Sequence, residues 1–439
     1  MSTVALSKSS EALRQRWFVA ALLLLFAALS VQYTFKVLTH DTAIVRWLEQ
    51  LKKWDAGEDI FEQFNYPNPP IMALILEPFV HLPPLAAALC FFYLKVGMTL
   101  AVFYWVFRLV QIPAAVFPPW AKALTVLLSL RMIMSDLNHG NVNLFILFLV
   151  IGALYAFHRR RDGVAGVTLA LAIACKVTPA LFVPYLIWKR AWATLTACLA
   201  GLVLFLFFVP SLKSGWERNI SDLHSWVNGM ILPYVTEGKV TSEHQNQSLP
   251  GVAYRLLTHS PSFSDFDSDN HYVPLQYDNM LSLEPSQARW VIKACMAAFV
   301  VLVLWSCRTP IDNRQGWRLA AEYSVILLGM LLFSERTWKH HCVTLVLPFA
   351  VICYCLATGS YGAKMRYFLI GSLATATLLI VSTSTIAAAK EGTSSWVQSW
   401  DHLGKSAQVY GAFVWAYLVL LVALIVLLRQ KDRKKPACA

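Results

Sequence analysis

The chain has 439 residues, of which 57% are apolar and only 14% are charged, whereas soluble domains are about 45–50% apolar and about 25% charged. This composition excludes an ordinary soluble protein and indicates that long apolar stretches lie in lipid. The formal charge of +12 does not indicate a nucleic-acid partner, because the basic residues form short clusters at the ends of apolar runs, as in the cytoplasmic loops of membrane proteins.

Apolar stretches long enough to cross a bilayer recur along the chain, since a spanning helix needs about 20 residues. They lie near residues 17–36, 84–107, 119–135, 141–157, 191–210, 288–306, 319–334, 342–358, 367–388 and 409–428. The first is interpreted as a retained helix and not a signal peptide, because many more spans follow it. With both termini in the cytoplasm, every basic cluster falls on the cytoplasmic side. The pattern predicts an all-α polytopic membrane protein with about ten full spans and a single domain over residues 1–439.

One apolar segment does not fit this scheme. Only 27 residues lie between Arg161 and Lys189, too few for two full crossings at about 1.5 Å per residue. We expect two half-helices that meet near Lys176-Val177-Thr178-Pro179. The alternative is one tilted helix whose Lys176 side chain extends to the membrane surface. A broken helix at membrane depth requires a protein-lined or wet cavity, and an ionisable residue there indicates a functional site.

Two long segments are predicted on the external face, at residues 37–83 and 211–287. The second carries nine acidic and four basic residues, unlike the basic cytoplasmic loops. Within the first, apolar residues recur at helical spacing over 44–54, which predicts an amphipathic helix lying in the membrane interface. A second short helix is expected over residues 71–79.

Asp41, with His40 beside it, follows the first span. A carboxylate at a membrane boundary can act as a general base if burial raises its pKa. The alternative is that Asp41 caps the helix that follows, since Asp is a favoured N-cap residue.

Three further polar groups interrupt or flank apolar runs. Arg336-Thr337-Trp338-Lys339-His340-His341 offers cations for a phosphate, or is a solvated turn; adjacent histidines are a weak zinc site. Arg131 and the run from Ser135 to Asn143 form a second group, or a capped turn between helices. The acidic run Asp265 to Asp269 lacks the calcium-loop pattern and is interpreted as a solvated loop. No metal site is predicted.

Several of these segments share one order and membrane placement with a known family. They are Asp41, Gly57-Glu58-Asp59-Ile60-Phe61, Tyr66-Pro67-Asn68-Pro69-Pro70, His139-Gly140-Asn141-Val142-Asn143, Lys176-Val177-Thr178-Pro179, Asn246-Gln247-Ser248-Leu249 and Trp338-Lys339-His340-His341. Together they resemble the polyprenyl-phosphate-sugar-dependent glycosyltransferases of the GT-C superfamily, most closely glycosyltransferase family 87.

The resemblance implies an inverting transfer of mannose, another hexose or arabinofuranose from a polyprenyl monophosphate to a lipid or glycan acceptor, without a cofactor. It implies that Asp41 is the catalytic base. The cations expected at the donor phosphate are Lys176, Lys339, His340, His341 and Arg131. The residues expected at the substrates are Asp59, Tyr66, Asn138, Asn143 and Asn246. The expected location is a bacterial plasma membrane, with the site on the external side. The alternatives are a transporter or lipid flippase, because broken helices are also found there, and a structural subunit of an envelope complex.

Overall fold

A computed structural model describes residues 24, 27–39, 42–63, 66–267, 272–312, 314–359, 361–385 and 394–430 of the chain. This part is almost entirely helical, with one antiparallel hairpin. The first half contains α1 (27–38), α2 (Ala43–Asp55), α3 (Ile60–Gln63), α4 (Pro70–Leu76), α5 (Pro84–Val110), α6 (Pro119–His139), α7 (Asn143–His158), α8 (Asp162–Cys175), α9 (Phe182–Trp188) and α10 (Trp192–Val203). The second half contains α11 (Val209–Ser214), α12 (Trp216–Trp226), α13 (Leu232–Val235), α14 (Leu249–Leu257), β1 (Phe263–Phe266), β2 (Tyr272–Gln276), α15 (Pro285–Ser306), α16 (Trp317–Leu332), α17 (Val346–Thr358), α18 (Ala363–Ser382), α19 (Ser395–Val409) and α20 (Ala412–Arg429).

Within the described residues, six helical segments are long and apolar enough to cross a membrane, which confirms the all-α polytopic membrane class. They are Pro84–Val110, Trp192–Ser214, Pro285–Ser306, Lys339–Thr358, Ala363–Ser382 and Ala412–Arg429, and each coincides with a predicted span. The predicted spans at 119–135, 141–157 and 319–334 correspond to α6, α7 and α16, which are shorter or more polar. Residues 17–23, 25 and 26 of the first predicted span lie outside the described residues. The number of ten spans stays a prediction.

The segment between Arg161 and Lys189 is broken, as predicted. The helix α8 ends at Cys175, Lys176 is extended with φ −160° and ψ 124°, and a 3-10 turn over Thr178–Leu181 leads into α9. Pro179 has no backbone N–H, so a continuous helix through this point would lose a hydrogen bond. The two short helices are therefore confirmed, and the interpretation as a single tilted helix is wrong.

The helix α8 packs against α7 and α10. Its contact with α10 is close because of Gly166, where an added Cβ would lie 2.4 Å from the Thr194 carbonyl oxygen. Small residues permit such close approach between membrane helices. The broken segment is thus held inside the bundle.

The apolar face of α2 is covered by protein and not by lipid, which corrects the expectation of an interfacial helix. Ile44, Val45, Leu48 and Leu51 are at most 4% exposed. The edge of α2 is joined to α12, because the Trp54 Nε1–H donates to Asp222 Oδ2 at 2.8 Å. Amphipathic spacing shows that a face is buried but not what buries it. The two segments predicted to be external therefore pack on each other.

Several elements were not predicted, among them the helices α12 and α14 within residues 211–287. The β1–β2 hairpin, in which Asp265 pairs with Val273, is another. Asp265 of the acidic run is therefore in a strand and not a loop, although Ser268 and Asp269 lie outside the described residues. The polar helix α19, which precedes α20, was also not predicted. The expected short helix at residues 71–79 is confirmed as α4 and the 3-10 turn Glu77–Phe79.

Basic residues from distant parts of the sequence meet at one end of the bundle. Arg314 Nη1 lies 2.6 Å from Asp162 Oδ1, and Arg318 Nη1 donates to the Leu428 carbonyl at 3.0 Å. Lys189 Nζ forms a buried ion pair with Glu322 Oε2 at 2.7 Å. These residues belong to clusters predicted to share the cytoplasmic side. The opposite end carries the groups described next.

Candidate active site

The turn between α6 and α7 depends on Gly140. Its φ of +70° lies in the left-handed region, and its N–H donates to the carbonyls of Asp136 and Leu137, which closes α6 in the usual way for a C-terminal glycine. An added Cβ would lie 3.1 Å from Tyr33 Oη and 3.3 Å from Thr42 Cβ. The turn therefore lies against α1 and the start of α2.

Asp41 and His40, the predicted base and its neighbour, lie outside the described residues. The helix that follows begins at Ala43, and Thr42 occupies the N-cap position. Asp41 could cap this helix only from the N-cap position, which Thr42 occupies. Thr42 is fully buried and lies beside Gly140, so the chain next to Asp41 packs on the turn that begins the candidate site.

A buried ion pair that the sequence analysis missed lies beneath this turn. Lys95, in the middle of α5, has its Nζ 3.1 Å from Asp136 Oδ1. The same ammonium donates to the carbonyls of Asp136 at 2.9 Å and Asn141 at 3.0 Å. Both charged side chains are fully buried. An ionisable residue inside a spanning segment indicates a functional site, and that rule, applied to Lys95, is the signal that could have found it.

The predicted residues Asn143 and Lys176 are in direct contact. Lys176 Nζ donates to Asn143 Oδ1 at 2.5 Å, and Asn143 Nδ2 donates to Asp136 Oδ2 at 3.1 Å. The start of α7 and the break after α8 are thereby joined, and the lysine side chain points into the protein, as expected from the broken helix.

A small cavity brings Asn143, Lys176 and His341 together. It has a volume of about 30 Å³, and its remaining lining is Ile146, Thr178, Met330, Leu331, Ser334, Thr337, Val343 and Thr344. This is enough for one ordered water with polar partners. Residues that are distant in the sequence therefore converge on one small cavity.

The two histidines before α17 face different neighbours. The His340 ring stacks on His139 with 4.3 Å between centroids, and His340 is only 5% exposed. His341 lines the cavity, and its Nδ1 accepts from the Trp338 backbone N–H at 3.1 Å. The same Nδ1 also lies 3.1 Å from the Arg336 carbonyl oxygen, so both of these backbone contacts of His341 use Nδ1.

Arg131 and Lys339, also predicted at the donor phosphate, do not line this cavity. Arg131 donates to Thr383 Oγ1 at 3.2 Å, and its guanidinium lies 6.0 Å from the centre of the Phe413 ring. The role of Arg131 and Lys339 at a phosphate stays a prediction.

Asn246 is fully buried and uses all of its amide hydrogen-bonding capacity on the protein. Its Nδ2 donates to the carbonyls of Thr241 and Glu335, and its Oδ1 accepts from the backbone N–H groups of Ser248 and Thr337. The structure thus gives Asn246 the role of holding the segment that leads to His341. Its predicted contact with substrate stays a prediction.

The predicted substrate residues Asp59 and Tyr66 lie with α2, α3 and α12, away from the cavity lining. Asp59 Oδ1 accepts from the Phe61 N–H at 2.9 Å, and its Oδ2 accepts from Ser225 Oγ at 2.8 Å. Tyr66 is buried against the rings of Trp47 and Phe61. Asn138, in the last turn of α6, is half-buried. The structure does not bring these three to the cavity, and their roles stay predictions.

The sequence model of Glycosyltransferase family 87 matches residues 66–335, which is more than half of the chain. The match contains Asn143, Lys176 and Asn246 and ends just before the segment with His340 and His341.

Two relatives carry the same name, polyprenol-phosphate-mannose-dependent alpha-(1-2)-phosphatidylinositol mannoside mannosyltransferase. The relative from Mycobacterium tuberculosis (strain ATCC 25618 / H37Rv) is 26% identical over 377 residues, or 82% of this chain and 76% of the relative. The relative from Mycolicibacterium smegmatis (strain ATCC 700084 / mc(2)155) is 27% identical over 324 residues, or 71% of this chain and 62% of the relative. The chain therefore spans less than two thirds of the second relative.

Proposed function

Because the chain belongs to glycosyltransferase family 87, and so is a glycosyltransferase, we propose that it moves a sugar from a polyprenyl monophosphate donor to a hydroxyl of a lipid or glycan acceptor. Mannose is the first sugar to test, since the names of both relatives state dependence on polyprenol-phosphate-mannose. Another hexose and arabinofuranose are the next candidates.

The observation that carries the proposal is the polar cavity with Lys176 and His341 in its wall. The hydrogen-bond partner of Lys176 among the described residues is an amide oxygen and not a carboxylate, so the ammonium keeps its charge for a ligand. An ammonium and an imidazole N–H are suitable donors for phosphate oxygens. Stabilisation of charge that develops in the transition state is usually the largest catalytic effect.

In the proposed reaction, the acceptor hydroxyl oxygen attacks the anomeric carbon of the donor sugar. The bond from that carbon to the phosphate oxygen breaks, and its electron pair leaves with the polyprenyl phosphate. Asp41 accepts the hydroxyl proton as general base. In-line displacement inverts the anomeric centre. The negative charge that grows on the leaving phosphate is neutralised by Lys176, and the His341 ring donates a hydrogen bond to a phosphate oxygen.

We place the site on the external side of a bacterial plasma membrane, with residues 37–83 and 211–287 external and both termini cytoplasmic. Support comes from the basic residues that meet at the opposite end of the bundle, because basic residues accumulate on the cytoplasmic side. The acidic balance of residues 211–287 agrees with this orientation.

The proposal is tested by incubating the purified full chain, in lipid nanodiscs, with polyprenyl phosphates that carry mannose, glucose or arabinofuranose. A lipid extract serves as the source of acceptor. We expect one donor to yield free polyprenyl phosphate and a glycosylated product. A transporter predicts a different result, namely no release in nanodiscs but movement of the intact donor across the membrane of sealed vesicles.

A further inference from the structure

The cavity cation Lys176 lies at the end of a buried chain of hydrogen-bonded groups. The chain runs from Lys95 to Asp136, from Asp136 to Asn143, and from Asn143 to Lys176, with donor–acceptor distances of 3.1, 3.1 and 2.5 Å. Lys95 and Asp136 are fully buried, and Asn143 is 5% exposed. Two cations and one anion therefore share this part of the protein.

Lys95 is placed to act on its neighbours and not on a substrate. An ammonium has three protons, and Lys95 has three acceptors, namely Asp136 Oδ1 and the carbonyls of Asp136 and Asn141. All three acceptors belong to the α6–α7 turn. Lys95 thus neutralises Asp136 and holds the turn.

Asp136 in turn fixes the orientation of the Asn143 amide. A carboxylate only accepts hydrogen bonds, so the Nδ2 group must face Asp136 Oδ2. The amide oxygen then faces Lys176. With the amide reversed, an NH₂ group would face the ammonium, and the contact would be repulsive.

The charge of Lys95 decides what Asp136 does to Lys176. With Lys95 present, the charge of Asp136 is neutralised. Lys95, Asp136 and Lys176 together then keep one net positive charge, which is available to an anion. Without Lys95, Asp136 would be an unpaired buried carboxylate beside Lys176, and would compete with a phosphate for that ammonium.

We infer that Lys95 and Asp136 are positioning residues for the donor phosphate: through Asn143 they hold the Lys176 ammonium toward the cavity, and Lys95 prevents Asp136 from neutralising it. This inference rests on the proposed function, since the phosphate is that of the polyprenyl donor. The inference rests on one observation: all three Lys95 protons are donated to protein acceptors, and one of these acceptors is the Asp136 carboxylate.

The test uses the full-length protein and measures two quantities, the Kd of polyprenyl monophosphate and the donor KM. For Lys95→Met we expect both to rise about tenfold or more, the size expected for loss of a charge-assisted hydrogen bond, with the acceptor KM unchanged. In the double variant Lys95→Met/Asp136→Asn the unpaired charge is gone and the amide oxygen still accepts from Asn143. We expect it to recover most of the wild-type Kd and donor KM.

The matched control is Lys189→Met, which breaks the other buried Lys–carboxylate pair, with Glu322, at the opposite end of the bundle. It is expected to lower the apparent melting temperature without changing the Kd of polyprenyl phosphate. If Lys95 has a merely structural role, Lys95→Met should lower the apparent melting temperature without changing the Kd of polyprenyl phosphate, as Lys189→Met does, and the double variant should recover nothing. Either result overturns the inference.

If Lys95→Met fails to fold, the double variant is compared with Asp136→Asn. The Kd values of these two variants should agree to within about threefold. The proposed function is tested separately, by the turnover of the wild-type protein with polyprenyl phosphates that carry mannose, glucose or arabinofuranose. The inference about Lys95 is tested by comparing the Kd values of the variants with that of the wild type.

Discussion

The imidazole rings of His139 and His340 are stacked, with an angle of 14° between their planes. This contact joins the last residue of α6 to the turn before α17 and is supported by Asn141, whose Nδ2 lies 3.4 Å from His340 Nε2. With His340 held against α6, its neighbour His341 is directed to the cavity. The two adjacent histidines therefore have different roles, and replacing each should have a different effect.

His341→Ala should weaken the handling of the donor phosphate. Loss of a hydrogen bond to a charged group costs about 1.5–3 kcal/mol, so kcat/KM for the donor should fall by about 10- to 100-fold. Steady-state kinetics with varied donor would show this. His402→Ala, which changes an exposed histidine on α19, is the control. An unchanged kcat/KM for His341→Ala would exclude His341 from the phosphate site.

Lys176→Met should have the larger effect, because it removes a full charge and keeps the length of the side chain. Removing one donor that stabilises transition-state charge costs about 10²–10³ in kcat. The measurement is single-turnover release of polyprenyl phosphate, compared with Lys293→Met, which changes an exposed lysine on α15. If Lys176→Met retained wild-type turnover, the cavity would have no part in catalysis.

Asp41→Asn should abolish transfer while leaving folding and membrane insertion intact. Thr42 is the N-cap of α2, so the change leaves the cap in place, and Asn has the shape of Asp but cannot accept the proton of the acceptor hydroxyl. Loss of a general base costs about 10²–10⁴ in rate. The rate is compared with that of Asp55→Asn, which removes only a partly exposed ion pair with Lys213. Full activity of Asp41→Asn would exclude Asp41 as the general base.

Gly140→Ala should destabilise the protein and distort the site, because the new Cβ would crowd Tyr33 and Thr42 at a φ that costs a non-glycine residue about 1–3 kcal/mol. A lower apparent melting temperature in detergent is expected. Gly371→Ala is the matched control, since Gly371 is helical and has open space around it; there, alanine should be neutral or stabilising. Equal melting temperatures for the two variants would contradict the close packing described for Gly140.

The sequence predicted the parts of this site that depend on local signals. Lys176 was found because a charge and a proline interrupt a segment too short for two spans, and the α6–α7 turn was found from its polar residues and glycine. Physical rules for single segments were enough in these cases.

The parts that depend on contacts between distant segments were not predicted. The role of Lys95 requires knowledge that α5 passes beneath the α6–α7 turn, and the burial of the α2 face requires its protein neighbours. Asn246 was recognised by its motif, but its complete set of protein partners appears only in the fold. Pairing of the β1–β2 hairpin likewise joins residues whose polar, proline-containing sequence carries little strand signal.

The broken segment α8–α9 is anchored at both of its outer ends. Asp162, at the start of α8, is bound to Arg314 and Thr194, and Lys189, just after α9, is bound to Glu322. Displacement of either helix along its axis would break a partly or fully buried ion pair. The extended backbone at Lys176 and the 3-10 turn after it lie between these anchored ends. If Lys176 binds the donor phosphate as proposed, the depth of Lys176 in the bilayer sets how far the donor headgroup has to leave the plane of its neighbours.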